Sequence, residues 1–187
     1  MLNVANVLSS FRLVIVPVLF YFAWINKPTL FLIFLTCSLL SDLADGFIAR
    51  KLHQVSELGA RLDSWGDFAI YITAIVCAWW LWPDLIRQEA PFVIALVASY
   101  ALPITLGFLK YGRLTSYHTW GAKLSAVLMG STAILLFAGG PAWPFRLAIP
   151  VPVLAGLEEI VMTTILPKWQ SDVPSLWHAI KLTRRSN

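Results

Sequence analysis

The sequence predicts an all-α fold, a polytopic integral membrane protein with six transmembrane helices. Only 13% of its 187 residues are charged, and the mean hydropathy is +0.73. An average soluble domain has roughly 25% charged residues. Apolar runs recur along the whole chain, and each is long enough to cross about 30 Å of hydrocarbon as a helix. We expect one transmembrane domain over residues 1–187, with a cytoplasmic tail over about 168–187.

Six spans follow these apolar runs in order. The second and third are interrupted by aspartates, and Pro103, Pro150 and Pro152 are expected to bend or start helices. Cys37 and Cys77 lie within predicted spans and are expected to be small buried apolar residues. The predicted spans cover residues 9–25, 28–49, 59–82, 90–109, 119–139 and 145–166.

The loop charges predict the orientation, because cytoplasmic loops carry an excess of Lys and Arg. The richer side is therefore expected inside, with both termini in the cytoplasm of a bacterium and the chain in its inner membrane. The net charge of +4 reflects this asymmetry and attraction to anionic lipids, and no basic-aromatic pattern predicts nucleic-acid binding. The richer side has Arg50, Lys51, Arg61, Lys110, Arg113, Lys168, Lys181, Arg184 and Arg185, and the other side has Lys27, Arg87 and Arg146.

Four of the ten acidic residues lie close together, near the end of the second span and the start of the third. Asp42 and Asp45 are three positions apart, and Asp63 and Asp67 are four positions apart. Both spacings place two side chains on one helical face. Because consecutive spans run antiparallel, we expect all four carboxylates at similar depth, just inside the cytoplasmic boundary.

These carboxylates could be solvated at the helix ends, or two of them could pair with Arg50 and Arg61. Two would then stay unpaired, and clustered like charges repel each other. Divalent cations remove the repulsion, and hard oxygen ligands suit Mg²⁺, Mn²⁺ or Ca²⁺. A two-metal site usually holds phosphate oxygens during a displacement. We therefore predict two divalent cations, Mg²⁺ or Mn²⁺, in a site that Ca²⁺ can also occupy.

The residues around the aspartates favour a phosphate-containing substrate. Gly46 and Ala49 keep the surface of the second span small, and Gly59 does the same at the start of the third. Arg50 lies one turn beyond Gly46 and can contact phosphate as a fork. Ser56, in the connection between the two spans, offers a hydroxyl group.

The pattern from Asp42 to Asp67, D-x2-D-G-x2-A-R-x8-G-x3-D-x3-D, resembles the signature of the CDP-alcohol phosphotransferase (CDP-alcohol phosphatidyltransferase) family. All eight fixed positions and every spacing agree. The resemblance implies that a CDP-linked lipid, CDP-diacylglycerol, gives its phosphatidyl group to an alcohol while CMP leaves. It also implies that Asp42, Asp45 and Asp63 are metal ligands, and that Asp67 is both a ligand and the general base.

The resemblance extends to other residues. It implies that Gly46, Arg50 and Ser56 hold the CDP portion, with Ala49 and Gly59 lining the same site. The opening stretch "NVANVLSSFRLVIVP" also looks like the start of that family, which implies that Asn6, Ser9 and Arg12 lie near the donor headgroup. An ordinary helix start, with Ser9 or Ser10 as the N-cap, is the alternative for this stretch.

The acceptor is less clearly marked. The stretch "GRLTSYHTWGAK" contains Arg113, His118 and Lys123, which are candidates for binding a phosphate on the acceptor, although positive-inside charge explains them almost equally well. Glu158 and Glu159, late in the sixth span, count against a plain phosphorylated acceptor. Adjacent residues do not share a helix face, so one is expected toward the site and the other toward an Arg or a loop.

The N-terminal pattern and the length most resemble phosphatidylglycerophosphate synthases, which would make glycerol-3-phosphate the acceptor. Inositol phosphate, serine or an amino alcohol remain alternatives. A cation transporter with intramembrane carboxylates is another class of function, but no carboxylate continues its path outward. A catalytically idle lipid-binding scaffold is a third. The expected partners are CDP-diacylglycerol, the alcohol and membrane lipids, and a homodimer is left open.

Overall fold

A computed structural model gives the fold of the chain. It describes the backbone of residues 4–51, 57–112, 115, 117, 119–170 and 173–186, and the side chains of 13–41, 65–66, 68–112, 115, 117, 119–170 and 173–183. The described backbone is helical and contains no strand, which confirms the all-α class. The chain divides into two compact units, Met1–Gln88 and Glu89–Asn187.

The described residues of the first unit form three long helices and one short helix. Helix α1 packs against both α2 and α3, and the residues of their shared core are four positions apart on α1 and α2 and seven apart on α3, the spacings of one helical face. The core residues are Ile15, Leu19, Ala23, Phe31, Leu35, Ile70 and Cys77. The helices are α1 (Val4–Trp24), α2 (Pro28–Lys51), α3 (Glu57–Leu81) and α4 (Pro83–Gln88).

Aromatic contacts give the direction of these helices. The Phe31 ring near the start of α2 lies 6.0 Å from the Trp82 ring just after α3. Phe20 near the end of α1 lies 6.1 Å from Trp80 near the end of α3. Helices α2 and α3 therefore run antiparallel, as the sequence predicts.

The second unit is built around one helix, α8, which packs against all four of its neighbours. The predicted sixth span is two helices rather than one, because Pro150 lacks the N–H group that would continue the hydrogen bonding. Ile149 between them keeps helical angles, with φ −54° and ψ −39°. The helices are α5 (Ala90–Tyr111), α6 (Trp120–Phe137), α7 (Trp143–Ala148), α8 (Pro150–Ile165) and α9 (Leu176–Ser186).

Three helical stretches are long and apolar enough to cross a membrane, namely Ala90–Tyr111, Trp120–Phe137 and Trp143–Ile165. In the first unit, the described side chains give shorter apolar stretches over Leu13–Trp24, Pro28–Ser41 and Phe68–Leu81. The count of six spans therefore stays a prediction. Large apolar side chains point outward in the second unit, as expected for lipid contact. Examples are Ile94, Leu109 and Leu154, which are 67%, 79% and 66% exposed.

Both cysteines are free. Cys77 is fully buried in the core of the first unit, as predicted. The prediction was wrong for Cys37, which is exposed. The register of α2 explains the difference, because Leu35 and Ser38 lie on the buried face and Cys37 lies between them on the other.

Helices α5 and α8 approach closely at Gly156. A Cβ atom there would overlap the backbone carbonyl oxygen of Ser99 on α5. Small residues allow this kind of close packing between membrane helices. The Gly156→Ala variant should therefore lower the free energy of unfolding by about 1–3 kcal/mol. Thermal unfolding in detergent measures the change.

Gly121→Ala is the matched control. The added Cβ would lie 3.2 Å from the Cβ of Ala155, so only a small adjustment is needed. We expect a loss below about 1 kcal/mol. Equal losses for the two variants would contradict the close α5–α8 approach.

An ion pair with one buried partner links the start of α5 to α7. The Glu89 carboxylate, just before α5, accepts hydrogen bonds from Nε and Nη2 of Arg146 at 2.8 and 2.6 Å. The Glu89 side chain is 3% exposed and that of Arg146 is 48% exposed. The guanidinium also lies 5.6 Å from the centre of the Phe92 ring. The hydrogen bond from Arg146 lowers the pKa of Glu89 below its ordinary value, although burial opposes the shift.

Removing Arg146 should destabilise the fold, because Glu89 would then be buried without an ion-pair partner. Arg146→Met leaves a buried carboxylate unpaired, and we expect a loss of about 3 kcal/mol in the free energy of unfolding at neutral pH. A lowered pKa stabilises the fold above the pKa of the unfolded chain, about 4.3, and that contribution is lost as the pH falls. The deficit of the variant should therefore stay constant from neutral pH down to about 4.3 and shrink below it, as the pH falls toward the lowered pKa of Glu89, and thermal unfolding would show this.

Arg87→Met provides the control for this pair. Arg87 bonds Asp84 at 3.3 Å, but both side chains are largely exposed, at 68% and 85%. Such pairs contribute about 0–1 kcal/mol, so little change is expected. A deficit for Arg146→Met that stays constant below pH about 4.3 as well would contradict the role given to Glu89.

Candidate functional site

The four aspartates lie on two continuous helices. Asp42 and Asp45 lie in the second half of α2, which ends at Lys51, and Asp63 and Asp67 lie in the first turns of α3. The predicted spacings of three and four residues therefore fall on helical backbone, although the four side chains lie outside the described set. Each pair consequently occupies one helical face.

The contact between Phe31 and Trp82 gives a common origin for measuring depth along α2 and α3. At 1.5 Å per residue, Asp42 and Asp45 lie about 16 and about 21 Å beyond Phe31. Asp67 and Asp63 lie about 22 and about 28 Å before Trp82 on the same measure. Asp45 and Asp67 are thus at nearly the same depth on antiparallel helices, and the four backbone positions together extend over about 12 Å.

The residues predicted to bind the donor occupy helix ends. The last turns of α2 contain Gly46, Ala49 and Arg50, and the first turn of α3 contains Gly59. Ser56 lies outside the described residues.

The N-terminal candidates, Asn6 and Ser9, lie within α1. Because α1 begins at Val4, neither Ser9 nor Ser10 is its N-cap, and that alternative was wrong. Their side chains are outside the described set, so their contacts with a donor stay a prediction.

Of the three acceptor candidates, Arg113 and His118 lie outside the described residues, and Lys123 is described. Lys123 is exposed in the first turn of α6, with its Nζ 5.2 Å from the centre of the Trp120 ring. Because Lys123 is exposed, its side chain is accessible to a ligand.

The connection before α6 is anchored on both sides of residue 118. Tyr117 is 2% exposed, and its hydroxyl lies 3.0 Å from Oγ1 of Thr163 on α8. Thr119 is fully buried and caps α6, because its side chain accepts a hydrogen bond from the N–H of Ala122 at 3.0 Å.

Lys110 has a structural role that the sequence did not reveal. Its Nζ donates to the carbonyl oxygens of Thr163, Thr164 and Leu166 at 2.7, 3.0 and 2.9 Å. The Tyr111 hydroxyl also lies 3.0 and 2.8 Å from the first and last of these oxygens. These contacts satisfy the free carbonyls at the C-terminus of α8, and they use all three donors of Lys110. Lys110 is therefore bound to the fold rather than available to a phosphate.

The adjacent acids Glu158 and Glu159 have different surroundings. Glu158 Oε1 accepts a hydrogen bond from the N–H of Leu176 at 2.9 Å, at the first residue of α9. Glu159 lines a cavity of about 20 Å³ between α5, α6 and α8, with Ser99 and Ser125 in its wall. Glu158 thus faces the segment before α9 and Glu159 faces inward, as expected for adjacent residues on a helix.

The described side chains include no group of three or more His, Cys, Asp or Glu residues that could hold a metal ion. The four aspartates lie outside that set, so the predicted metal site is not among the geometries that the structure describes. Its donor chemistry is nevertheless clear, because carboxylate oxygens are the ligands that Mg²⁺ and Mn²⁺ prefer.

Comparison with known proteins gives a family and several relatives. The protein is 37% identical over 78 residues to a CDP-diacylglycerol–glycerol-3-phosphate 3-phosphatidyltransferase of Wigglesworthia glossinidia brevipalpis, covering 40% of this chain and 43% of the relative. It is 38% identical over 66 residues to a protein of the same name from Aquifex aeolicus, covering 35% and 37%. A probable phosphatidylglycerophosphate synthase of Mycobacterium tuberculosis is 26% identical over 177 residues, covering 87% and 78%.

The chain thus spans less than half the length of the first two of these relatives. No solved structure matches it. The family model for CDP-alcohol phosphatidyltransferase matches residues 2–166, which include all eight positions of the aspartate pattern. The chain therefore belongs to the CDP-alcohol phosphatidyltransferase family.

Proposed function

We propose that this protein transfers the phosphatidyl group of CDP-diacylglycerol to glycerol-3-phosphate and releases CMP. The observation that carries the proposal is the complete eight-position pattern on α2 and α3, within a family match over residues 2–166. The names of the relatives supply the donor and the acceptor. Other acceptors, such as inositol phosphate, serine or an amino alcohol, would use the same donor chemistry.

The four carboxylates fit two Mg²⁺ or Mn²⁺ ions in charge and ligand type. In this proposal Asp42, Asp45, Asp63 and Asp67 hold the ions, and the matching backbone depth of Asp45 on α2 and Asp67 on α3 supports the grouping. Bound there, the ions would polarise the pyrophosphate of the donor and offset the negative charge of the departing CMP.

Asp67 also acts as the general base. Its carboxylate takes the proton from the acceptor hydroxyl, and the hydroxyl oxygen attacks the phosphorus atom of the phosphatidyl group. The bond from that phosphorus to the bridging oxygen breaks, and the electron pair leaves with CMP. A base is needed because a neutral hydroxyl is a weak nucleophile.

The other residues of the pattern bind and orient the donor. Arg50 bonds phosphate oxygens with its planar guanidinium, and Gly46 and Ala49 leave room for the donor against α2. Gly59 does the same at the start of α3, and Ser56 contributes a hydroxyl group. Near the headgroup, Asn6 and Ser9 of α1 complete the donor site.

On the acceptor side, Arg113, His118 and Lys123 would bind the phosphate of glycerol-3-phosphate. The exposed ammonium of Lys123 and the buried anchors on both sides of residue 118 support this assignment. The excess of loop Lys and Arg supports a reaction at the cytoplasmic face of a bacterial inner membrane, with both chain termini inside.

The test is an acceptor panel. The purified full chain is incubated with CDP-diacylglycerol, Mg²⁺ and one alcohol at a time, and CMP and the lipid product are both measured. Product should form with glycerol-3-phosphate and depend on it. CMP release with only another alcohol would correct the acceptor, and no release with any alcohol would overturn the proposed transfer.

A further inference from the structure

The C-terminal helix α9 is held firmly against the second unit. The N–H of Leu176 donates to the Glu158 carboxylate at 2.9 Å, and a negative charge at a helix N-terminus is favourable. Pro174, two residues before α9, is held as well, because the N–H of Trp120 donates to its carbonyl oxygen at 3.2 Å. Ala179 is fully buried. Terminal segments are usually poorly ordered unless they bond or pack against the rest of the domain, so these contacts make α9 an ordered part of the fold.

The packed face of α9 defines its free face. Leu176 and Ala179 join a core cluster with Tyr117, Met162 and Leu166. These contacts occupy one side of the helix, so the residues on the other side are directed away from the unit.

The free face combines an aromatic ring with positive charge. Trp177 is 73% exposed, and Lys181 follows one turn later and is also exposed. Arg185 continues this four-residue spacing, and Arg184 lies beside it in the sequence. Helix α9 contains no acidic residue, and Lys181 has no ion-pair partner among the described side chains.

This composition matches the surface of an anionic membrane. Trp residues favour the membrane–water interface, and Lys and Arg are attracted to negative headgroups. The location of α9 agrees with this. Helices α7 and α8 together form a stretch long enough to cross a membrane, and only ten residues, 166–175, separate the end of α8 from α9.

We propose that the face of α9 formed by Trp177, Lys181, Arg184 and Arg185 docks onto the headgroups of anionic phospholipids. Helix α9 then binds anionic lipid headgroups at a site separate from the aspartate pattern. The proposal depends on membrane insertion of the second unit and not on phosphatidyl transfer.

Hydrogen exchange of the full chain in nanodiscs tests the docking. One set of nanodiscs is pure phosphatidylcholine, and the other mixes it equally with phosphatidylglycerol. Amides of α9 should exchange at least about fivefold more slowly in the anionic nanodiscs. Fivefold is the factor expected when a single basic residue is attracted to the anionic surface. High salt should remove the difference.

Two variants separate docking from folding. Lys181→Gln/Arg184→Gln/Arg185→Gln should abolish the lipid difference, whereas Lys168→Gln, which removes a nearby charge outside α9, should keep it. Exchange in α5 and α8 reports whether each variant is folded. Glu158→Ala should speed α9 exchange in both lipids.

Equal α9 exchange of the unaltered chain in the two lipids would overturn the proposal. So would slowing in neutral nanodiscs when inorganic phosphate is added, because the face would then bind free anions. If the unaltered chain showed the slowed α9 exchange but released no CMP, only the proposed transfer would be contradicted.

Discussion

Asp67→Asn is expected to lower turnover by about 10²–10⁴-fold, the usual contribution of a general base. CDP-diacylglycerol binding should persist, because three carboxylates and Arg50 remain. The carboxamide keeps the shape of the side chain and one oxygen, but it removes the charge and the proton acceptor. Donor affinity and single-turnover rate at saturating Mg²⁺ measure the two effects separately.

Asp45→Asn is the matched control for the base. It removes a carboxylate of the same pattern from α2, so it should weaken metal and donor binding together rather than turnover alone. Normal turnover by Asp67→Asn at saturating metal would show that Asp67 is only a ligand. The base would then have to be sought at His118 or Glu159, since Glu158 is committed to capping α9.

Chelation should have an effect of similar size. EDTA is expected to abolish CMP release, and added Mg²⁺ should restore it, because the four carboxylates of the proposed site need positive charge before an anionic pyrophosphate can approach. The assay follows CMP release as Mg²⁺ is titrated back. Full activity in a thoroughly chelated sample would refute the two-metal proposal.

Hydrophobic patterning predicted the long helices well. All the predicted spans coincide with helices whose ends differ by a few residues, because apolar length is a local property of the sequence. The break at Ile149 also has a local signal in Pro150. The exposure of Cys37 had no such signal, because the buried face of α2 is set by what packs against it.

The roles of Lys110 and Glu158 show where sequence reasoning ends. Lys110 bonds carbonyls 53 to 56 residues away, and Glu158 bonds an N–H group 18 residues away. In the sequence, Lys110 resembles an ordinary loop charge and Glu158 resembles an acidic residue near the end of a span. Only the fold brings each of them to its partner. The aspartate pattern could be identified because its spacing lies within two adjacent helices and its chemistry follows from residue type.

Metal binding in the absence of substrate tests the central claim most directly. Mn²⁺ is titrated into the purified full chain and into a variant with Asn at positions 42, 45, 63 and 67, with bound ion counted by electron paramagnetic resonance. The intact chain should bind about two Mn²⁺, the number in a two-metal site, and the folded variant should bind none at the same concentration. Equal Mn²⁺ binding by the two proteins would contradict an aspartate metal site on α2 and α3.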